Sequence, residues 1–201
     1  QKLFDVVTFK DLTNSLREIN KVLALASIGL IAISFIVGPL SRMFPQEFTP
    51  WLAHRKFIGL SGFALALFHT VYSLLVIYAA DINKMIFANP KLFGFLSAVV
   101  AFVIFLVMAV TSNAKSVKKM GYDKWKMVQT IGYVGLAFAV VHFVILEIKP
   151  NVGLDVRPYG LIFLILPIIA LILRIGMIFI KSPERTKFEH HTGEELLEES
   201  E

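Results

Sequence analysis

Long apolar stretches recur along the chain, each closed by a short polar segment that carries Lys or Arg. Four are free of charge: residues 22–40, 57–80, 92–114 and 127–146. A fifth, 158–180, is broken only by Arg174, close enough to Lys181 for its side chain to snorkel to the nearer interface. About 20 consecutive apolar residues suffice to cross a bilayer as a helix. Membrane-spanning strands would instead read as alternating segments of about ten residues. The pattern therefore predicts an all-α integral membrane protein, a bundle of five transmembrane helices.

The flanks read differently. From Asp11 to Lys21, Leu12, Leu16 and Ile19 fall at i, i+4 and i+7, which predicts an amphipathic or interfacial N-terminal segment over 1–21, with a simple leader to the first span as the alternative. No charged region followed by a short apolar core precedes it, so no intact signal peptide is expected, and with Gln1 in place of Met an upstream segment stays open. The membrane domain is expected over 22–180. Residues 181–201 are polar and acidic and predict a short helix or extension in the cytoplasm.

Composition agrees: 56% of residues are hydrophobic and 17% charged, against about 25% charged in a soluble domain. The net charge is +5, yet the last 21 residues hold seven acids and three bases, so the excess of basic residues belongs to the rest of the chain. That excess suits membrane-flanking loops and lipid contact rather than nucleic acid. The absence of Cys excludes disulfides, thiol catalysis, iron–sulfur clusters and thiolate-ligated heme. Basic residues in short loops also orient the chain. Arg42, Arg55 and Lys56, with Lys115, Lys118, Lys119, Lys124 and Lys126, make eight on one side against four on the other, Lys84, Lys91, Lys149 and Arg157. The richer side is expected in the cytoplasm, which places the N-terminus outside and the C-terminus inside a multi-pass plasma membrane protein.

The four uncharged runs contain two histidines, His69 and His142, and no Asp, Glu, Lys or Arg. Ionisable side chains within a span are costly and need partners. The two host spans are separated by one span and so run in the same direction. His69 lies 14 residues beyond Arg55 and His142 lies 16 beyond Lys126, a difference in depth of about 3 Å. Their frames match too: GFALALFH (62–69) and GLAFAVVH (135–142) both read G-x-A-x-A-x-x-H. On a helix, the glycine seven residues back and the alanine three residues back lie on the histidine's side. Gly62, Ala66, Gly135 and Ala139 are thus expected to clear a face below each imidazole for a flat group. Heme, its iron held by one histidine from each of two facing helices, meets this description.

Other readings stay open. Small residues favour any close helix approach in a membrane, and each histidine can simply hydrogen-bond to a neighbouring span. An eight-residue echo can arise by chance between two Ala- and Gly-rich spans, and a proton or metal path is conceivable, although such paths usually recruit Asp or Glu. Trp51, Tyr72, Tyr78, Trp125 and Tyr133 are expected mostly near span ends, in an aromatic belt. His54 is expected at the headgroup boundary, with a flavin or quinone contact as the lesser alternative, and His190 and His191 as solvated tail residues.

The stretches GPLSRMFP (38–45), HRKFIGLSGFALALFHTVYSLL (54–75) and TSNAKSVKKMGYDKWKMVQTIGYVGLAFAVVHFVILE (111–147) resemble the ferric-reductase-like transmembrane domain superfamily. Within it the chain is most similar to the small heme-binding membrane subunit that partners a periplasmic methionine sulfoxide reductase (MsrQ type). The resemblance implies heme b with His69 and His142 as axial ligands to the iron, in a bundle that in the family usually has six helices. It also implies electron transfer from a quinol or reduced flavin, with FMN or a quinone as a candidate second cofactor, to an extracytoplasmic redox protein. Family members often carry a second histidine pair, 14 residues before the first ligand and 13 before the second. Arg55 and Gln129 stand there, so one heme is expected rather than two. A ferric-iron or flavin reductase component is the alternative within the class, and a non-enzymatic membrane carrier or assembly protein with structural histidines the alternative outside it. The chain carries no glycine-rich nicotinamide fingerprint, so it is expected to be the electron-transfer component of a larger system.

Overall fold

The computed structural model describes residues 2–149, 153, 154, 156 and 158–179. The acidic tail with His190 and His191, and Arg157 on the polar side of the last loop, lie outside the described residues. Among those described, the chain is almost wholly helical: α1 (Lys2–Met43), the short α2 (Pro45–Phe48), α3 (Leu52–Tyr72), α4 (Leu92–Thr111), the short α5 (Ala114–Met120), α6 (Tyr122–Glu147) and α7 (Pro158–Phe179). Five helical stretches are long and apolar enough to cross a membrane: 14–43, 45–77, 92–111, 122–147 and 159–179. The protein is therefore an all-α integral membrane protein. Among the described residues the strand pairing is a two-residue antiparallel one in the last loop, Ile148 opposite Leu154 and Lys149 opposite Gly153.

Many large apolar side chains point outward: Phe57 is 69% exposed and Ile178 72%. Such exposure would be a liability in water and is the expected state of a surface that faces lipid tails. Inside, Ile31 and Phe35 of α1, Ala101 and Phe105 of α4, Leu136 of α6 and Ala170 of α7 form the buried core. α1 packs along α3 and α7, and α4 along α6.

Of the two readings of the segment before the first span, a continuous helix is compatible with the leader: α1 runs unbroken through Lys21, and its Asn20 reaches another helix (below). Tyr133 and Arg174 turn inward rather than joining a belt or snorkelling. The Tyr133 hydroxyl donates to the Phe35 carbonyl at 3.0 Å. The reason lies in α1, where Pro39 has no N–H to offer the carbonyl four residues before it, that of Phe35. In lipid a freed carbonyl must find a partner within the protein, and the tyrosine supplies one. The Arg174 guanidinium carbon then lies 5.4 Å from the centre of the Tyr133 ring, a cation–π contact. Tyr78 stays at the end of its span, where the chain after α3 widens into a π-helical turn over Ser73–Ile77 before Ala79 and Ala80 adopt left-handed φ of 51° and 55°. Trp125 stays near a helix end, donating its ring N–H to the Thr111 carbonyl at 3.0 Å, and Trp51 is exposed.

Candidate functional site

Both intramembrane histidines line one cavity of about 520 Å3 enclosed by α1, α3, α4 and α6. That volume is in the range of small-molecule and cofactor pockets, about 300–1,000 Å3. Its wall is mostly apolar, from Ile28 and Ile31 on one side to Phe102 and Phe105 on the other. The polar groups that enter it are few, chiefly the two imidazoles, Asn20, Ser73 and Lys91. The π-helical turn extends the α3 wall: His69 and Thr70 are followed on the cavity by Ser73, Leu74, Ile77 and Tyr78. π-turns of this kind are frequent at functional sites.

Each imidazole is held through its Nδ1. In His142, Nδ1 lies 2.9 Å from the Gly94 carbonyl oxygen of α4. In His69 it lies 3.1 Å from the backbone oxygen of Asn20 and 3.0 Å from the same residue's side-chain oxygen. Carbonyl oxygens only accept, so Nδ1 must carry the proton in both rings. In the neutral form of each ring the lone pair is thereby on Nε2, the tautomer that binds a metal, with the other nitrogen fixed by a carbonyl as is usual for metal-ligating histidine. Among the described residues no group of three or more His, Cys, Asp and Glu gathers to hold a metal ion. Two neutral imidazoles in an apolar slot suit a metal that brings its remaining ligands with it, as iron in heme does. The residues present therefore fit that group.

The four small residues of the repeated frame divide. Ala66 and Ala139 line the cavity beside the histidines. Gly62 and Gly135 do not; they stand at helix crossings. A Cβ on Gly62 would come within 2.8 Å of the Ile31 side chain and 2.9 Å of its backbone nitrogen on α1, and one on Gly135 within 2.9 Å of Ile104 on α4. The 3.6-residue repeat puts these glycines near the histidine's side, and the crossing helices take up the space they clear. Two partners were invisible in the pattern: Asn20, a polar residue just before the first uncharged run, and Gly94, which acts through its carbonyl. No one-dimensional signal marks either.

Further along, Lys91 donates from Nζ to the Leu146 carbonyl and, at 2.9 Å, to that of Ile148, binding the α6 C-terminus at the cavity rim. The buried Tyr72 hydroxyl, one turn beyond His69, has no hydrogen-bond partner among the described residues. At the other end of α3 and α6, the Arg55 Nε donates to the Ser34 carbonyl at 2.9 Å and Gln129 Nε2 to the Thr111 hydroxyl at 3.1 Å. His54 is exposed, its ring 6.2 Å from that of Trp51.

A bundle of five membrane-length helices with a paired-histidine cavity among four of them defines a multi-pass membrane protein built around an internal binding slot. The chain belongs to the family described as ferric reductase like transmembrane component, which matches residues 23–140. The match takes in His69 and ends just short of His142. The chain is 28% identical over 124 residues to the magnetosome protein MamZ of Magnetospirillum gryphiswaldense, covering 59% of this chain and 19% of that protein. It is 25% identical over 135 residues to the protein-methionine-sulfoxide reductase heme-binding subunit MsrQ of Agrobacterium fabrum, covering 66% of this chain and 60% of that one. The MsrQ subunit of Herminiimonas arsenicoxydans is similar at 26% over 118 residues, 58% of this chain and 53% of that protein. The chain thus spans less than two thirds of the length of each of these relatives.

Proposed function

We propose that the protein is a membrane b-type cytochrome in which His69 and His142 hold a single heme, passing electrons from a quinol or reduced flavin to an extracytoplasmic acceptor such as a methionine sulfoxide reductase partner. The observation that carries this reading is the pair of imidazoles that line one apolar cavity, each fixed by a carbonyl on Nδ1 so that Nε2 is left for a ligand. Heme bound there supplies a one-electron couple at its iron. The protein's part is to present two neutral imidazoles, to exclude water with the phenylalanines and isoleucines of the wall, and to keep both rings in one tautomer. The relatives named as heme-binding subunits support heme as the group, and the family supports redox chemistry in the membrane.

A single heme is the expectation because Arg55 and Gln129 stand where a second pair would be, each engaged in hydrogen bonds of its own. The family resemblance supports a prokaryotic plasma membrane location, and the eight-to-four distribution of basic loop residues supports an N-terminus outside and so a cavity toward the outer leaflet. Along α3, Arg55 and His69 are then separated by about 21 Å of helix rise. That gap calls for a quinone or FMN near the cytoplasmic end to deliver electrons. Ferric-iron or flavin reduction is the variant of the same reading with a different acceptor.

The same Nδ1 bonds also join helices, α6 to α4 and α3 to α1, which is what purely structural histidines would do. A dithionite-reduced minus oxidised spectrum of the detergent-purified chain, with heme counted by pyridine hemochrome, separates the two. The cytochrome reading expects a low-spin b-type spectrum at about one heme per chain. A colourless protein after heme-supplemented expression overturns it in favour of structural histidines.

A further inference from the structure

The two imidazoles are held in unequal ways. His142 is held by a backbone carbonyl alone, that of Gly94. His69 is held by Asn20 twice, through the backbone oxygen at 3.1 Å and the side-chain oxygen at 3.0 Å. The Asn20 amide is itself fixed, since its Nδ2 donates to the Ser73 hydroxyl at 2.9 Å. The backbone oxygen of Asn20 settles which end of the amide faces the histidine: it can only accept, so Nδ1 carries the proton, the side-chain atom beside it is the amide oxygen, and the NH2 is left for the Ser73 hydroxyl. Ser73 lies one turn after His69, at i+4, and opens the π-helical turn. Three side chains from α1 and the end of α3 thus form a chain, Ser73 to Asn20 to His69, on the wall of the cavity. A carboxamide between spans is costly unless fully bonded. Both ends of this one are used, and its acceptor is spent on an imidazole.

We infer that Asn20 is a positioning residue that fixes the ring plane and proton of His69 and thereby sets the reduction potential of the bound heme, with Ser73 holding the amide in register. This rests on the reading of His69 as an axial ligand. An acceptor on Nδ1–H draws the proton outward and makes Nε2 a stronger donor, which stabilises ferric over ferrous iron. Because the backbone oxygen of Asn20 stays in reach, removing the side-chain oxygen weakens this effect without abolishing it. Nothing comparable can be altered by side-chain substitution at Gly94. The structure therefore places the adjustable ligand on α3.

The test is potentiometric titration of the heme in the detergent-purified full chain, followed optically and by low-temperature EPR. Asn20→Ala is expected to keep heme but shift the midpoint potential upward, a change of up to about tenfold in the ferric-to-ferrous ratio at fixed ambient potential, or about 59 mV for one electron. Asn20→Asp, which keeps an acceptor oxygen and gives it negative charge, is expected to shift the potential the opposite way. Ser73→Ala frees the amide and is expected to produce a smaller upward shift with broadened EPR features, and it keeps the proposal falsifiable should an Asn20 variant fail to fold. A merely structural Asn20 would lower thermal stability without opposite-sign shifts. Heme-loaded variants with wild-type potential and EPR overturn the role of Asn20 and leave the cytochrome reading standing, whereas a wild-type chain that binds no heme overturns that reading first.

Discussion

A histidine on an internal cavity and one at an exposed helix end can look alike in a sequence, and the chain contains both kinds of position within one span. His69 faces the cavity with Nδ1 tied down, while His54, four turns earlier, is exposed beside Trp51. On the proposed reading, removing either cavity imidazole deletes one of two ligands to the iron, so His69→Ala and His142→Ala are each expected to lose more than 90% of the bound heme, at least the tenfold lower end of the 10–100-fold effects seen when even outer partners of metal ligands are altered. His54→Ala is expected to leave the Soret band and the heme-to-chain ratio unchanged. Pyridine hemochrome on the three purified variants checks this, and wild-type spectra in both cavity variants would sink the ligand assignment. The pair was legible because span order, depth and frame are all one-dimensional quantities. Asn20 was not, since its importance comes from α1 crossing α3 at that height, and the uncharged apolar run begins only at Val22, beyond Lys21.

At the scale of helices, the repeated G-x-A-x-A-x-x-H frame carries two jobs that the sequence merges into one. Its alanines border the cavity, and its glycines let α1 approach α3 and α4 approach α6. Periodicity gives the side of a helix on which a residue lies but not what occupies that side, so the expectation of a continuous small-residue face under the cofactor met a crossing helix instead. Gly62→Ala would push a Cβ into the Ile31 backbone, and overpacking of this kind costs about 1–3 kcal/mol. The expected result is a lower melting temperature in the heme-free protein as well as the loaded one. Gly176→Ala on α7, where a Cβ meets nothing within 4 Å, is expected to melt at or above the wild-type temperature. Were Gly62 instead a cofactor contact only, its variant would lose heme affinity while the heme-free melting point stayed unchanged. The inward turn of Tyr133 has the same origin as the glycine result: Pro39 frees a carbonyl on one helix, and only the fold shows which side chain answers it.

For the whole molecule, the decisive quantity is which end of the bundle faces out, because it fixes where electrons enter and leave. The cavity lies toward the start of α1 and α4 and the end of α3 and α6, while Arg42, Arg55 and Arg174 lie toward the other end. On the proposed orientation the arginine end lies in the cytoplasm and the histidines toward the outer leaflet. The chain offers a direct test, since it contains no Cys and any introduced thiol stands alone. Lys84 between α3 and α4 and Lys118 in α5 are both exposed, and the Lys84 ion pair with Asp81 is a surface one at 3.5 Å, worth little to stability. In intact cells, Lys84→Cys is expected to react with a membrane-impermeant maleimide, and Lys118→Cys only after the membrane is opened. The reverse pattern would move the histidine cavity to the cytoplasmic leaflet. A soluble reduced flavin could then reach the heme without an intermediate carrier, and an extracytoplasmic acceptor would lie a full bundle length away. The labelling result therefore decides between outward electron delivery and reduction at the inner face, independently of whether heme stoichiometry and potentials come out as expected.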